Sequence, residues 1–296
     1  MRNADIARLA ALALIWSLSF VFIRVLVPVL GPVWVATGRV TIAGIALCAW
    51  FIWSGFDASV RQHWRAYLFI GVLNSAAPFL LFAFAALHLP ASYLAILNAV
   101  TPLFGAVASA VWLAEALTPL KVAGLVAGIA GVALVSRAGP VEPDSAFAWA
   151  VAASLCAALC YALAAVWIKR FGHHLQSKAI AGYSQLFAGI VLLPLAANSS
   201  VPGPVTGSVI ANLLALALLC SAVAYLLFYR LIADIGATRA LTVTFLIPAL
   251  GLVWAAVLLH ETITWTMIVG AALVIGGTAA VLRPARIAAT APARSS

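Results

Sequence analysis

The sequence predicts an all-α integral membrane protein of ten transmembrane helices, arranged as two inverted five-helix repeats. Three observations carry this prediction. The 296-residue chain is 66% hydrophobic and only 8% charged, with a mean hydropathy of +1.17, whereas about a quarter of the residues of a soluble domain are charged. Its apolar residues fall in ten runs long enough to cross a bilayer, since ~20 helical residues at ~1.5 Å each span a ~30 Å hydrocarbon core. Finally, Pro102 to Glu115 reappears without a gap as Pro248 to Glu261, 146 residues further on.

Taken in order, the runs lie near 6–27, 32–53, 64–87, 91–113, 118–137, 146–170, 178–197, 208–232, 237–259 and 264–282. Helix-ending residues separate them: Gly31-Pro32, Ser54-Gly55, Leu89-Pro90, Thr118-Pro119, Gly139-Pro140 and Pro202-Gly203-Pro204. Helices satisfy their own backbone hydrogen bonds in lipid, and a barrel would need shorter, alternating strands. The first run, behind Arg2 and Arg8, has the look of a signal peptide. However, Val21-Phe22-Ile23-Arg24 is echoed by Val166-Trp167-Ile168-Lys169 at the head of the second half, so the run is read as a retained helix.

The repeat covers nearly the whole chain. Identical pairs at the same offset include Gly105/Gly251, Leu113/Leu259, Thr118/Thr264, Gly124/Gly270 and Gly131/Gly277. Ser75-Ala76 with Leu80-Leu81-Phe82 returns as Ser221-Ala222 with Leu226-Leu227-Phe228. Five spans per copy is an odd number, so the second copy enters the membrane from the opposite side. Lys and Arg set the orientation. With the N-terminus in the cytoplasm, Arg2, Arg8, Arg61, Arg65, Lys121, Lys169, Arg170, Lys178, Arg230, Arg239, Arg283, Arg286 and Arg294 fall on the inner side. Only Arg137 falls in an outer loop, while Arg24 and Arg39 lie in the outer halves of their helices. The positive-inside rule then places both termini in the cytoplasm, and the membrane is read as the cell's inner or plasma membrane.

Composition also excludes several classes. The net charge of +9 sits between apolar runs rather than on one basic face, which argues against nucleic acid. Cys48, Cys156, Cys160 and Cys220 lie inside apolar runs without neighbouring His or acid, and read as core residues rather than a metal site or disulfides. The histidines fall at run ends, and His260-Glu261 lacks the second His of a zinc-protease helix. No metal, cofactor or catalytic residue is indicated, and the chain is read as not an enzyme.

Inverted helical repeats place a substrate site near the midplane, at the repeat interface. Candidate substrate-binding residues near that depth are Trp16, Ser17, Asn74, Asn98, Tyr161, Ser221, Tyr225 and Thr244. They offer hydrogen bonds and aromatic faces without net charge, suiting a small amphipathic molecule. The structural alternative is that each joins helices, at ~0.6 kcal/mol per bond. Trp16, Asn98 and Tyr225 stand out. Trp prefers the interface, and Asn has four hydrogen-bonding valences to satisfy. No Asp or Glu lies in the middle of any run, and intramembrane charges are costly and functional. A substrate that is neutral or zwitterionic fits best. Pro78, Pro102 and Pro248 are read as in-helix kinks with a gating role. Glu115 and Glu261, each followed three residues later by Thr, are read as structural helix-end residues. Gly124-x-x-x-Gly128 is read as close packing within one monomer, ahead of a dimer seam.

Each copy carries a Pro in its fourth helix, a Glu-x-x-Thr end and a Gly-rich fifth helix. In these features the chain resembles the EamA repeat, which defines the ten-helix branch of the drug/metabolite transporter (DMT) superfamily, and within it the bacterial amino-acid exporters of the YddG type. Residues 1–140 are read as the first EamA-like repeat and 141–283 as the second, and the Ala-, Pro- and Arg-rich stretch 284–296 as a disordered cytoplasmic tail. The resemblance implies that helices one, three, four, six, eight and nine surround a central cavity. It further implies a secondary exporter of neutral or aromatic amino acids or related small metabolites, working by alternating access, as a monomer or weak homodimer in the lipid bilayer. Import, or another cargo such as a purine, nucleoside or sugar, stays open, as does, last, a membrane enzyme or receptor.

Overall fold

In lipid each backbone polar group must be satisfied within its own segment. The computed structural model describes residues 2–57, 59–138, 141, 144–236 and 240–283, and these are helical almost throughout, with no strand among them. The expected tail at 284–296, together with Arg239, Arg286 and Arg294, lies outside the described residues.

The helices are α1 Asn3–Trp53, α2 Val60–Ala85, α3 Ala91–Leu113, α4 Pro119–Ala138, α5 Ser145–Phe171, α6 Ser177–Ala197, α7 Gly207–Ile235, α8 Val243–Leu259 and α9 Trp265–Val281. Seven of them, α1 to α7, are long and apolar enough to cross a membrane, and α8 and α9 are shorter apolar helices. At ~1.5 Å per residue, α1 with its 51 residues exceeds twice a ~30 Å core. It is interrupted at Gly31 (φ 76, ψ 158), flanked by Pro28 and Pro32. The sequence suggests a loop at Gly31-Pro32; the chain instead turns on one left-handed glycine, the residue for which positive φ carries no Cβ penalty.

Corresponding places in the two halves show matching local structure. α3 and α8 both end on a left-handed residue, Ala114 (φ 54) and His260 (φ 53). Beyond each, the Glu115 and Glu261 amides donate to the carbonyls six residues back, those of Ser109 and Ala255, so the two helix ends close in the same way. Thr118 and Thr264 then cap the next helices, accepting from the amides of Lys121 at 3.3 Å and Met267 at 3.4 Å. A π-helical stretch in α2, Val72–Ala76, has its counterpart in α7, Ala215–Val223.

α4 and α9 pack through glycine. A Cβ at Gly124 would stand 2.6 Å from the Gly277 carbonyl oxygen, and one at Gly131 would stand 2.6 Å from that of Gly270. In sequence Gly124 corresponds to Gly270 and Gly131 to Gly277, so the seam pairs each position with the other's equivalent, as an antiparallel two-fold contact does. α6 is seated by the same device: a Cβ at Gly44 would lie 2.6 Å from the Leu186 nitrogen, and one at Gly71 would lie 2.6 Å from the Ser184 carbonyl. The surface is apolar, with Trp53, Val111, Ile129, Trp149 and Trp265 all exposed, a coat suited to lipid and unsuited to water.

Gly131→Val should force α4 from α9, and overpacking of this kind costs about 1–3 kcal/mol. The expected result is a lower unfolding temperature of the detergent-purified protein. An unchanged transition would contradict the close seam.

Candidate functional site

A cavity of about 520 Å³ lies among α1, α2, α3, α5, α6, α7 and α8, and α4 and α9 contribute nothing to its wall. Its wall carries two groups of packed aromatic rings. Trp16 packs on Phe228 (ring centroids 5.1 Å apart) and edge-on to Tyr225 (6.2 Å); Phe20 meets Phe82 (5.8 Å), and Tyr161 meets Phe79 (6.3 Å). The cavity reaches Ile168, Ser177 and Ile232, at the end of the bundle that carries Lys169, Arg170, Lys178 and Arg230. This is the basic end of the bundle.

Six of the eight candidate residues line the cavity: Trp16, Asn74, Asn98, Tyr161, Tyr225 and Thr244. Asn74 Nδ2 donates to the Tyr225 hydroxyl at 3.5 Å. The Thr244 hydroxyl turns back onto the Leu241 carbonyl (2.7 Å), which leaves Asn98 as the freer polar group of this symmetry-related pair. Ser17 and Ser221 do not line the wall. Ser17 is fully buried; it donates to the Leu14 carbonyl and accepts from Trp254 Nε1 at 3.0 Å. Ser221 is also buried and accepts from Arg39 Nε at 2.9 Å. Both sit at the right depth but on a helix face turned toward a neighbour.

Arg39 is the residue that sequence reasoning set aside. It lines the cavity and is the one charged residue on its described wall, 6% exposed, with its guanidinium carbon 3.8 Å from the centre of the Phe79 ring. Position eight of the second arm of α1, counted from Gly31, corresponds to a depth of ~12 Å; that depth was readable in the sequence, but the side chain's direction was not. Arg24, by contrast, donates to the Ala86 carbonyl at 2.6 Å, closing the C-terminal end of α2, where a cation is favourable.

Pro78 and Pro102 differ from simple in-helix kinks. Pro78 follows the π-helical turn of α2, where the Ala77 amide already reaches back to Val72, so the register change absorbs the missing donor. Pro102 stands in the first turn of the helical segment Thr101–Leu113, after a break at 99–100, where its absent N–H costs no hydrogen bond; it also lines the cavity. Pro248 is inside α8 and buried.

The two glutamates have different partners. Glu261 accepts from the amides of Ala91 (2.8 Å) and Ser92 (3.1 Å) and from the Ser92 hydroxyl (2.6 Å), capping α3 at the end away from the cavity's basic end. Glu115 instead meets Lys169 and Lys121 at the basic end, and the hydrogen bond from Lys169 holds its carboxyl below the usual value. Asp5 and Asp234 gather Arg2, Arg8 and Arg230 at the same end. Among the described residues there is no group of three His, Cys, Asp or Glu that could hold a metal.

The model of the EamA-like transporter family matches residues 6–137 and again residues 148–283. The chain belongs to this family. It is a multi-pass membrane transporter and not an enzyme. This EamA-like chain is 27% identical over 270 residues to the uncharacterized transporter YvbV of Bacillus subtilis, covering 90% of this chain and 88% of that one. It is 28% identical to an uncharacterized transporter of Archaeoglobus fulgidus, with 91% and 94% covered. It is also 27% identical to a Streptantibioticus cattleyicolor protein named "Probable terminal-alkyne amino-acid exporter", with 88% of each chain covered. A solved crystal structure, 20% identical, shares the fold with a TM-score of 0.67 over 95% of this chain and 96% of that one.

Glu261→Ala removes hydrogen bonds to a charged acceptor, each worth about 1.5–3 kcal/mol, whereas Glu115→Ala removes partly exposed ion pairs worth about 0–1 kcal/mol. The unfolding temperature should therefore fall by several degrees more for Glu261→Ala than for Glu115→Ala. Equal shifts would contradict the capping contact.

Proposed function

We propose that this transporter carries neutral, aromatic or hydrophobic amino acids or related small metabolites out of the cell, by alternating access through the aromatic cavity. The observation that carries the reading is the wall itself: aromatic rings, a few uncharged polar groups, a single arginine and no carboxylate among the described lining residues. Such a wall suits a small amphipathic molecule with an apolar side chain. The amino-acid exporter named among its relatives supports the same class.

In this reading the two arms of α1 are two spans, which with α2 to α9 make ten, and residues 1–140 and 141–283 are inverted repeats. Supporting it are the double family match, the paired left-handed helix ends and the self-complementary α4–α9 seam. The basic end faces the cytoplasm by the positive-inside rule, with both termini on that side and the protein in the plasma membrane. The cavity then lies in an inward-facing arrangement, with Glu261 holding the outer end on α3. Rocking of one repeat against the other, with release of the Ala91 and Ser92 contacts, would turn the same cavity outward. With no acidic group among the described residues of the wall to trade for a proton, cargo moves down its own gradient. Asn98 orients the cargo's polar end, Trp16, Tyr161 and Tyr225 hold its side chain, and Pro102 and Pro248 mark the helices that yield.

Flux of labelled phenylalanine into proteoliposomes tests this. Saturable flux should persist without a pH gradient, and Trp16→Ala and Asn98→Ala should each lower it about tenfold, the loss of ~1.4 kcal/mol of binding. Strict dependence on a pH gradient would refute the uncoupled mechanism, and flux indifferent to both substitutions would refute the site.

A further inference from the structure

We infer that Arg39 is the carboxylate receptor of the cavity, and that the cargo must carry a free carboxylate beside its apolar body. This rests on the transport reading above and narrows its substrate class. A cation within a membrane protein is expensive and is ordinarily neutralised by a paired acid or by backbone carbonyls. Arg39 has neither. It is 6% exposed, and among the described residues no carboxylate approaches it; its one hydrogen bond there runs from Nε to Ser221 Oγ.

The way the guanidinium is held argues against a purely structural role. Ser221 takes Nε, and the face of Phe79, 3.8 Å from the guanidinium carbon, fixes the plane by a cation–π contact. Neither restraint uses the two terminal nitrogens. Their four N–H groups make no hydrogen bond to a described residue, and the residue lines the cavity. A planar guanidinium with its far fork unfilled is built for bidentate contact with a carboxylate. Arg24 shows the alternative: its terminal nitrogen is spent on the Ala86 carbonyl.

The rest of the wall agrees with a carboxylate on an aromatic or aliphatic body. Phe79, which carries the guanidinium, continues into Phe82 and Tyr161, so a molecule anchored at Arg39 lays its side chain along that surface. An amino acid's ammonium finds no acid on the wall, only neutral acceptors such as the Asn98 side chain, so it tunes binding while the carboxylate governs it. Ser221, buried at the back of Arg39, acts as a positioning residue.

Isothermal titration of the purified full chain should compare L-phenylalanine, 3-phenylpropanoate, L-phenylalaninamide and phenethylamine. The expected result is binding of the two carboxylates at least tenfold tighter than of the amide or the amine. In Arg39→Gln that preference should vanish, with phenylalanine falling to the level of its amide, and Arg39→Lys should keep part of it. The wild-type ligand series decides the matter even where a variant fails to fold. Equal affinity for phenylalanine and its amide, or a preference for the amine, overturns the inference, as does an unaltered preference in a folded Arg39→Gln. No binding of either carboxylate overturns it as well. Flux separates the two claims: carboxylate-selective binding without flux of any amino acid retires the transport reading and keeps Arg39, while phenylalanine flux without carboxylate preference retires Arg39 alone.

Discussion

Helices immersed in lipid gain nothing from hiding apolar side chains from one another, because the acyl chains are equally apolar. What holds this bundle is backbone approach, and the approach is set by glycine. Gly124 and Gly131 on α4 meet Gly277 and Gly270 on α9, while Gly44 and Gly71 admit α6 against α1 and α2. Each close pair joins an element of the first half to one of the second. Through these seams the remaining helices are kept far enough apart to enclose a cavity of about 520 Å³. The site is thus a consequence of packing that occurs elsewhere in the bundle.

The ends of the bundle divide the remaining polar chemistry between them. At the basic end, Asp5, Asp234 and Glu115 pair with arginines and lysines that water can also reach. At the opposite end Glu261 is bound by two amides and a hydroxyl of α3. Contacts of the first kind are individually weak and exchange readily, and those of the second kind are stronger and directional. A transporter that opens one end while holding the other shut needs such an imbalance, and the proposed inverted repeat would supply the means of reversing it.

Much of this was legible in the residues. The apolar runs and the 146-residue offset locate the helices, because the spanning length and the self-similarity are one-dimensional properties. Depth in the membrane is nearly as accessible, which is why Trp16, Asn74, Asn98, Tyr161, Tyr225 and Thr244 come together on one wall. Azimuth is a different matter. Ser17 and Ser221 share that depth and turn away, toward Trp254 and Arg39, while Arg39 turns in. In runs apolar on every face there is no polar stripe to mark the lumen. Gly31-Pro32 marked the break in α1, but the π-helical turn before Pro78 was hidden, since it is a choice of backbone register rather than of composition.

In the proposed mechanism one cavity, reached from the cytoplasmic side in this arrangement, is where cargo binds. Labelling of Ser177→Cys, with the four native cysteines replaced by alanine, tests it most directly. Ser177 lines the cavity next to the basic end. In oriented membrane vesicles a membrane-impermeant maleimide should label this position from the cytoplasmic face, and saturating phenylalanine should slow the reaction. Labelling only from the opposite face, or labelling from the cytoplasmic face that phenylalanine leaves unchanged, would contradict the account.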